Sequence, residues 1–321
     1  MEPKSVCHGV KVYQVDAFTQ EVFCGNPAGV VPDSHGLSED VMQKIAREMN
    51  VSETAFAVKL DGDPGADFEV RFFTPKSEVD LCGHATLGAF WVLAELGMVK
   101  PKEKEGKASD WVTVRQRTKA GILEVYVAFN SQGKVRTVMM EQNLPSLGFT
   151  LDESQVWELE KILGAPHGSV SGFTKARPQA ISTGLLDLIV PVCSREALFS
   201  MKPNMDLLAT YCEEKAIVSV HCFSTDTLEP YSTVHCRDFA PSVGIPEEAA
   251  TGTASGATGA YLVLNSLVEK EGPSVKVICE QGYIMGRPSK IYVDISLEEG
   301  EIVSVKVGGT AVTVMEGVIR L

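Results

Sequence analysis

Three side chains have the types and settings for moving a proton: Glu53, His84 and Glu248. Glu53 lies where a helical stripe gives way to a strand pattern, among small and apolar neighbours. His84 opens an apolar helix. Glu248, with Glu247, precedes the turn Ala249-Ala250-Thr251-Gly252-Thr253 into another. A carboxylate or imidazole next to a carbonyl compound can take its proton if oriented N–H donors hold the negative charge that develops. Two look-alike segments offer such donors, Cys82-Gly83-His84-Ala85-Thr86-Leu87-Gly88-Ala89 and Thr251-Gly252-Thr253-Ala254-Ser255-Gly256-Ala257. Setting Gly83 on Gly252 puts His84 on Thr253, Ala85 on Ala254 and Thr86 on Ser255. A helix N-terminus leaves its first amides unpaired and is the positive end of the macrodipole. Gly-led starts at Gly83 and at Gly252-Thr253 therefore suit a small anionic substrate clasped between two halves of an internal duplication.

Plainer readings of the same residues stay open. Glu53 is also consistent with an exposed helix-end carboxylate, and His84 with a cap or a satisfied core histidine. Glu247 and Glu248 are equally placed to complement the dipole of the following helix. Cys82 and His84, at i and i+2, are not expected to face each other, which argues against a Cys–His nucleophile. The pairs His221-Cys222 and His235-Cys236 fall on strands joined by a hairpin, where adjacent residues point to opposite faces. Core packing is the better reading there than zinc. The glycines form neither GxGxxG nor a phosphate loop, so no nucleotide cofactor and no metal is expected.

Such residues need a framework, and the chain is long enough for about two domains at 321 residues. It is 44% hydrophobic and 22% charged, with 29 basic and 42 acidic residues giving a net charge of −13. The basic residues do not cluster, which argues against nucleic acid or an anionic membrane surface as partner. The opening residues lack an apolar core of signal-peptide length, and the stretch Leu87 to Val99 is too short to span a bilayer. The eight cysteines, from Cys7 to Cys279, are scattered without a CxxC pair. Together these set the expectation of a cytoplasmic protein with reduced thiols.

Alternation and turn residues give mostly strands: 11–18, 52–58, 68–73, 111–117 and 122–129 in the first part. Ser38 caps a helix to about Met49, with Val41, Met42, Ile45, Ala46 and Met49 in one stripe. Cys24-Gly25-Asn26-Pro27-Ala28-Gly29 reads as a loop. From about His84 to Leu96 runs a helix apolar nearly all round, the mark of a central position. Past about residue 130 the plan repeats. Strand 135–141 and a surface helix near 152–163 lead to strands 179–182, 186–192, 217–223 and 233–239, with Leu228-Glu229-Pro230 in a hairpin turn. A second buried helix, about Thr253–Leu267, is followed by strands 275–280, 290–295, 302–307 and 311–314. Lys100–Lys107 reads as a charged surface loop. The fold class is α+β: two halves, each a strongly bent sheet round one apolar helix.

A family resemblance rests on Asp16-Ala17-Phe18, Gly25-Asn26-Pro27-Ala28, Ile45 to Phe56, Arg71-Phe72-Phe73-Thr74-Pro75 and Leu81 to Gly88. Arg237-Asp238-Phe239-Ala240-Pro241, Gly244 to Thr253 and Gln281 to Ser289 complete it. In this order the segments resemble the phenazine-biosynthesis PhzF-like isomerases, which share a fold with diaminopimelate epimerase and the proline racemases. The resemblance implies two pseudo-symmetric barrel-like antiparallel sheets, each around a central helix. It implies an N-terminal domain of about 1–130 to which 306–321 return, a C-terminal domain of 131–305, a site in the cleft between, and a homodimer. It makes Glu53 the base of a proton shift that needs no cofactor, His84 the second proton-handling residue, and Gly83 a substrate-contacting backbone. Glu248 falls where the best-studied members have Asp, and Thr253 where they have Ser. The epimerase branch works with one cysteine from each half. Cys82 matches the first, whereas Thr253 stands at the second, and a hydroxyl is no base near neutral pH.

Overall fold

Two helices with no polar face organise the chain, and the strands are laid round them. The computed structural model describes residues 9–101, 103–104, 107–108, 110–172, 174–270 and 272–321. Cys7, the opening segment 1–8 and parts of the expected surface loop Lys100–Lys107 lie outside the described residues.

The first stretch runs β1 (Gly9–Ala17), β2 (Asn26–Val31), α1 (Glu39–Met49), β3 (Glu53–Lys59), β4 (Phe68–Phe73), β5 (Glu78–Val79) and α2 (Gly83–Glu95). A short pair, β6 (Glu103–Lys104) and β7 (Lys107–Ala108), precedes β8 (Trp111–Thr118), β9 (Gly121–Phe129) and β10 (Val135–Gln142). Then come β11 (Ser146–Thr150), α3 (Glu153–Leu163), β12 (Gln179–Ser182), β13 (Leu186–Pro191), α4 (Arg195–Ser200), α5 (Met205–Lys215), β14 (Ser219–Ser224) and β15 (Val234–Ala240). Last are β16 (Ile245–Glu248), α6 (Gly252–Leu264), β17 (Ser274–Gln281), β18 (Ser289–Glu298), β19 (Glu301–Gly309) and β20 (Ala311–Arg320). Two compact units result, one of residues up to Met140 with Gly309–Leu321, the other Glu141–Gly308.

Within the first unit β1 lies antiparallel between β20 and β2, β2 runs parallel to β3, β3 antiparallel to β4, β4 parallel to β8, and β8 antiparallel to β9. The second unit repeats the alternation: β12 antiparallel to β13, β13 parallel to β14, β14 antiparallel to β15, β15 parallel to β17, β17 antiparallel to β18. A parallel step needs a crossover. Helix α1 supplies the first in one unit, α4 and α5 in the other. The second crossover carries β5 and α2 in one and β16 and α6 in the other.

Helix α2 packs on β1, β2, β3, β9 and β20, strands from across its own sheet, so that sheet curls round it. Every residue from His84 to Ala94 is buried. Helix α6 is enclosed in the same way by β12, β13, β14, β17 and β18, with Ala254 to Val263 buried. The fold is therefore α+β and mostly sheet, as the patterning implies.

Three details differ from the sequence reading. Residues 26–29 are strand rather than loop, because the turn is over by Gly25 and Gly29 is needed for close strand approach. A Cβ at Gly29 would meet the Thr54 hydroxyl at 2.5 Å, so the glycine serves the sheet and not a bend. Helices α4 and α5 carry no expectation from the patterning, although Ser194 and Asn204 cap them through their side chains. The second buried helix stops at Leu264, three residues early.

Candidate active site

Local chain geometry delivers Glu53 to its place. Ser38 caps α1 by accepting the Val41 N–H, and Asn50 ends the helix in the left-handed region, donating its N–H to Ala46. Three residues on, Glu53 begins β3 opposite Ala28 of β2. His84 comes from the first turn of α2, whose N-cap is Cys82 in extended backbone. Thr86 closes that turn by donating its hydroxyl to the Cys82 carbonyl at 2.8 Å.

These elements bring a cluster together. Glu53 Oε2 lies 3.1 Å from His84 Nε2, with side chains 16% and 7% exposed. Ser52 Oγ is 3.0 Å from the same nitrogen. The other ring nitrogen, Nδ1, has the Cys82 sulfur at 3.4 Å and the Asn26 side-chain amide at 3.4 Å. Cys82 and His84 therefore do face each other, contrary to the expectation from i, i+2 spacing. An extended N-cap swings its side chain over the first turn, where helical spacing rules do not apply. In the turn before Asn26, buried Asp16 accepts the Phe23 N–H at 2.7 Å, with Phe23 in the left-handed region at φ 68°.

Charge follows from this packing. Burial alone favours a neutral Glu53, but the His84 ring, with Ser52 and Cys82, outweighs it and holds the carboxyl below its usual range. Burial likewise opposes a charged His84. Its contacts with Cys82 and Glu53 reverse that and lift the ring well above 6.5. Burial pushes the Cys82 thiol up, so near neutral pH it is uncharged. The Glu53 carboxylate is then the partner that keeps His84 protonated. Glu53 Oε2 is buried and receives no aligned hydrogen bond despite its nearness to the ring. A charged oxygen without an aligned donor beside a protonated imidazole is a base next to an acid.

The other expected residues sit together in the second unit. Glu248 ends β16, and its Oε2 accepts the Thr251 hydroxyl at 3.0 Å. Gln281 donates its amide to the Glu248 carbonyl at 2.8 Å and to Thr251 Oγ1 at 3.1 Å. Thr251 is the N-cap of α6, which starts with Gly252 and Thr253. The Thr253 carbonyl accepts the Thr183 hydroxyl at 3.1 Å. Glu247 is engaged elsewhere, gripped by Arg237 through Nε at 2.8 Å and Nη2 at 2.9 Å. His221 and His235 are core residues, as expected, each fully buried and bound through Nδ1 to a carboxylate, Asp238 at 2.9 Å and Glu280 at 2.7 Å.

The duplication extends to side chains. Arg71 of β4 grips Glu78 of β5 through Nε and Nη2, both at 2.7 Å, as Arg237 of β15 grips Glu247 of β16. In each case a helix starts five residues after the glutamate. Ser255 donates to the Thr251 carbonyl at 2.8 Å, as Thr86 does to Cys82. By register, Ser219 opposite Asp187 holds the place of Glu53 opposite Ala28. Thr253 holds the place of His84, and Glu248 that of Val79. The scaffold is doubled, but the base–acid pair exists in one copy. Ser52, Asn26, Thr251 and Gln281 belong to these clusters without standing out in the sequence as site residues, and Cys82 joins them although its spacing argued against contact with His84. Adjacency to Glu53, His84 and Gly252 was the signal for all but Asn26 and Gln281.

A doubled α+β scaffold surrounds two buried helices and carries a carboxylate–imidazole pair at one helix start. The chain belongs to the phenazine biosynthesis-like protein family (PhzC-PhzF), which matches residues 15–317. It is 34% identical to an uncharacterized isomerase of Clostridium acetobutylicum, over 95% of this chain and 96% of that one. It is 36% identical to the uncharacterized isomerase YfhB of Bacillus subtilis, over 94% and 96%. Among solved structures, a phenazine biosynthesis protein of the PhzF family from Bacillus anthracis superposes with TM-score 0.84 at 30% identity, covering 98% of this chain and 100% of that one. The fold alone extends to a hydroxyproline epimerase from Agrobacterium vitis, TM-score 0.60 at 12% identity, covering 98% and 91%. The protein is an isomerase of this family. No helix among the described residues is long and apolar enough to cross a membrane.

Proposed function

We propose that the protein shifts a proton next to a carbonyl or conjugated system on a small cyclic carboxylate, without a cofactor, at a site in the cleft between its two halves. Glu53 removes the proton. His84 and Glu248 return it at the new position. The amides at Gly83 and at Gly252-Thr253 hold the anion, and the assembly is a homodimer in the cytoplasm. The observation that carries this reading is the 3.1 Å approach of Glu53 Oε2 to His84 Nε2, with that oxygen buried and lacking an aligned donor. Such a pair can accept a proton on one member and deliver one from the other. Epimerisation by two thiols is less favoured, because Thr253 stands where a second cysteine would be needed and the Cys82 thiol is pushed up by burial.

Small carboxylates that raise the melting temperature would identify the ligand class, since a ligand of the folded state stabilises it. With a turned-over member of that class, product formed in heavy water should carry deuterium at the shifted position. Glu53→Gln should cut turnover by roughly 10²–10⁴-fold, the ordinary weight of a general base, while the chain stays folded and loses only the stability of the pairing with His84. A variant that unfolds, or one that keeps turnover, would remove Glu53 from the role of base.

A further inference from the structure

We propose that Glu53, Cys82 and His84 form a three-ligand site for a borderline-soft divalent cation, zinc above all, and that zinc held there is a reversible inhibitor. The site rests on ligand geometry; only its inhibitory effect rests on the proton-transfer reading.

One ligand atom from each residue lies within 4.8 Å of the other two. His84 Nε2 is the atom they share, 3.1 Å from Glu53 Oε2 and 3.9 Å from Cys82 Sγ. Zinc bonds of about 2.0–2.3 Å at tetrahedral angles put ligand atoms roughly 3.3–3.7 Å apart. The Glu53–His84 side is already short, whereas the Cys82 sulfur lies nearer Nδ1, at 3.4 Å, so a turn of the Cys82 side chain toward Nε2 completes the triangle. Thiolate, imidazole and carboxylate is a donor set that suits zinc and discriminates against magnesium and calcium, which take oxygen alone. Three protein ligands leave the fourth position open to water, the pattern of exchangeable rather than structural zinc. Glu53 and Cys82 are half-buried while Glu53 Oε2 and His84 are buried, so an ion enters only as the carboxylate turns toward solvent.

Binding must move protons. Near neutral pH the thiol and the imidazolium each carry one, and the carboxylate carries none. Zinc replaces both, leaving thiolate, neutral imidazole and carboxylate on the metal and releasing two protons to solvent. Affinity should then rise by about a hundredfold per pH unit while both groups are protonated. With zinc in place, Glu53 Oε2 and His84 Nε2 are both committed to the metal and cannot exchange a proton with substrate, so activity falls in proportion to occupancy and a chelator restores it.

Cobalt(II) titration of the full chain, kept reduced, reads the ligands directly and needs no substrate. The expected result is one equivalent of tetrahedral cobalt with a sulfur-to-metal charge-transfer band, displaced by zinc whose dissociation constant lies below about 1 µM. Cys82→Ser should abolish the band, and Glu53→Gln should weaken zinc by about tenfold or more while the far-ultraviolet spectrum stays native. A weaker zinc constant, a band that survives Cys82→Ser, or one that disappears instead with Cys193→Ser would overturn the site. Retained turnover in Glu53→Gln would overturn the proton-transfer reading and leave the cobalt result standing.

Discussion

Glu53 and His84 stabilise each other's charged forms, and this gives the protein a pH signature. The Glu53 carboxyl is lowered, so its contribution is present above about 4.5, the unfolded value, and is lost as pH falls through the lower folded one. His84 is raised, so its contribution is full below about 6.5 and is lost as pH climbs through the higher folded value. Their mutual stabilisation therefore spans a window from acid into the alkaline range. Asp187 adds a slope of opposite sense on the acid side, since burial and the neighbouring Asp238 raise it. The informative quantity is thus the difference in melting temperature between wild type and His84→Gln. It should be flat near neutrality and shrink at both ends, and a difference that grows above pH 8 would contradict the pairing. The same residues show where reading a sequence stops. Glu53 stood out as a carboxylate among small and apolar residues at a helix-to-strand switch, and His84 as an imidazole just after Gly83 at the start of an apolar helix. Their contact with Cys82 was not legible, because it depends on one extended N-cap dihedral pair, φ −144° and ψ 121°.

The elements were legible in proportion to the regularity of their burial. Helix α1 has a capped start and a single stripe, whereas α2 and α6 announce themselves by lacking a polar face. Helix α5 is harder to read: its buried stripe is only Leu208, Tyr211 and Cys212, and exposed Leu207 beside it blurs the pattern in the sequence. Strand β2 was hidden by Pro27 and Gly29, whose usual meaning is a turn. What anchors α4 is also invisible to patterning. Arg237, from β15, donates through Nη1 to the carbonyls of Leu198 and Met201 at 2.9 and 3.0 Å while gripping Glu247. This ties α4, β15 and β16 with one nearly buried guanidinium. Arg237→Leu strands a carboxylate and two carbonyls and should cost about 3–5 kcal/mol, the penalty for breaking a buried pair from one side. Adding Glu247→Leu should return part of that loss, measurable as a partial recovery of the denaturation midpoint. An equal loss in the single and double variants would show that the carbonyl contacts carry the tie.

At the scale of the molecule, a repeated plan was readable because two helix starts share Gly, a polar residue and a run of small ones. The asymmetry of its chemistry was less so, since it emerges only from the registers that match Ser219 to Glu53 and Val79 to Glu248. The units also differ in how they are assembled from the chain: Glu141–Gly308 is continuous, while the other unit draws β20 from far downstream. Strand β20 pairs with β1 from Gly9↔Arg320 to Ala17↔Ala311. Removing 310–321 should therefore abolish amide-exchange protection in β1 and its neighbours and spare that of 141–308; equal loss in both units would refute independent folding. A ribosome makes the same truncation for a moment on every protein it completes. The half begun first waits with β1 as an open edge, its Val10, Val12 and Val15 ready to pair with any passing strand, while the half begun second is already whole. For this chain closure of the unit begun first waits on a strand made after the whole of the other, so a chain paused or cut before 310 leaves the same edge open.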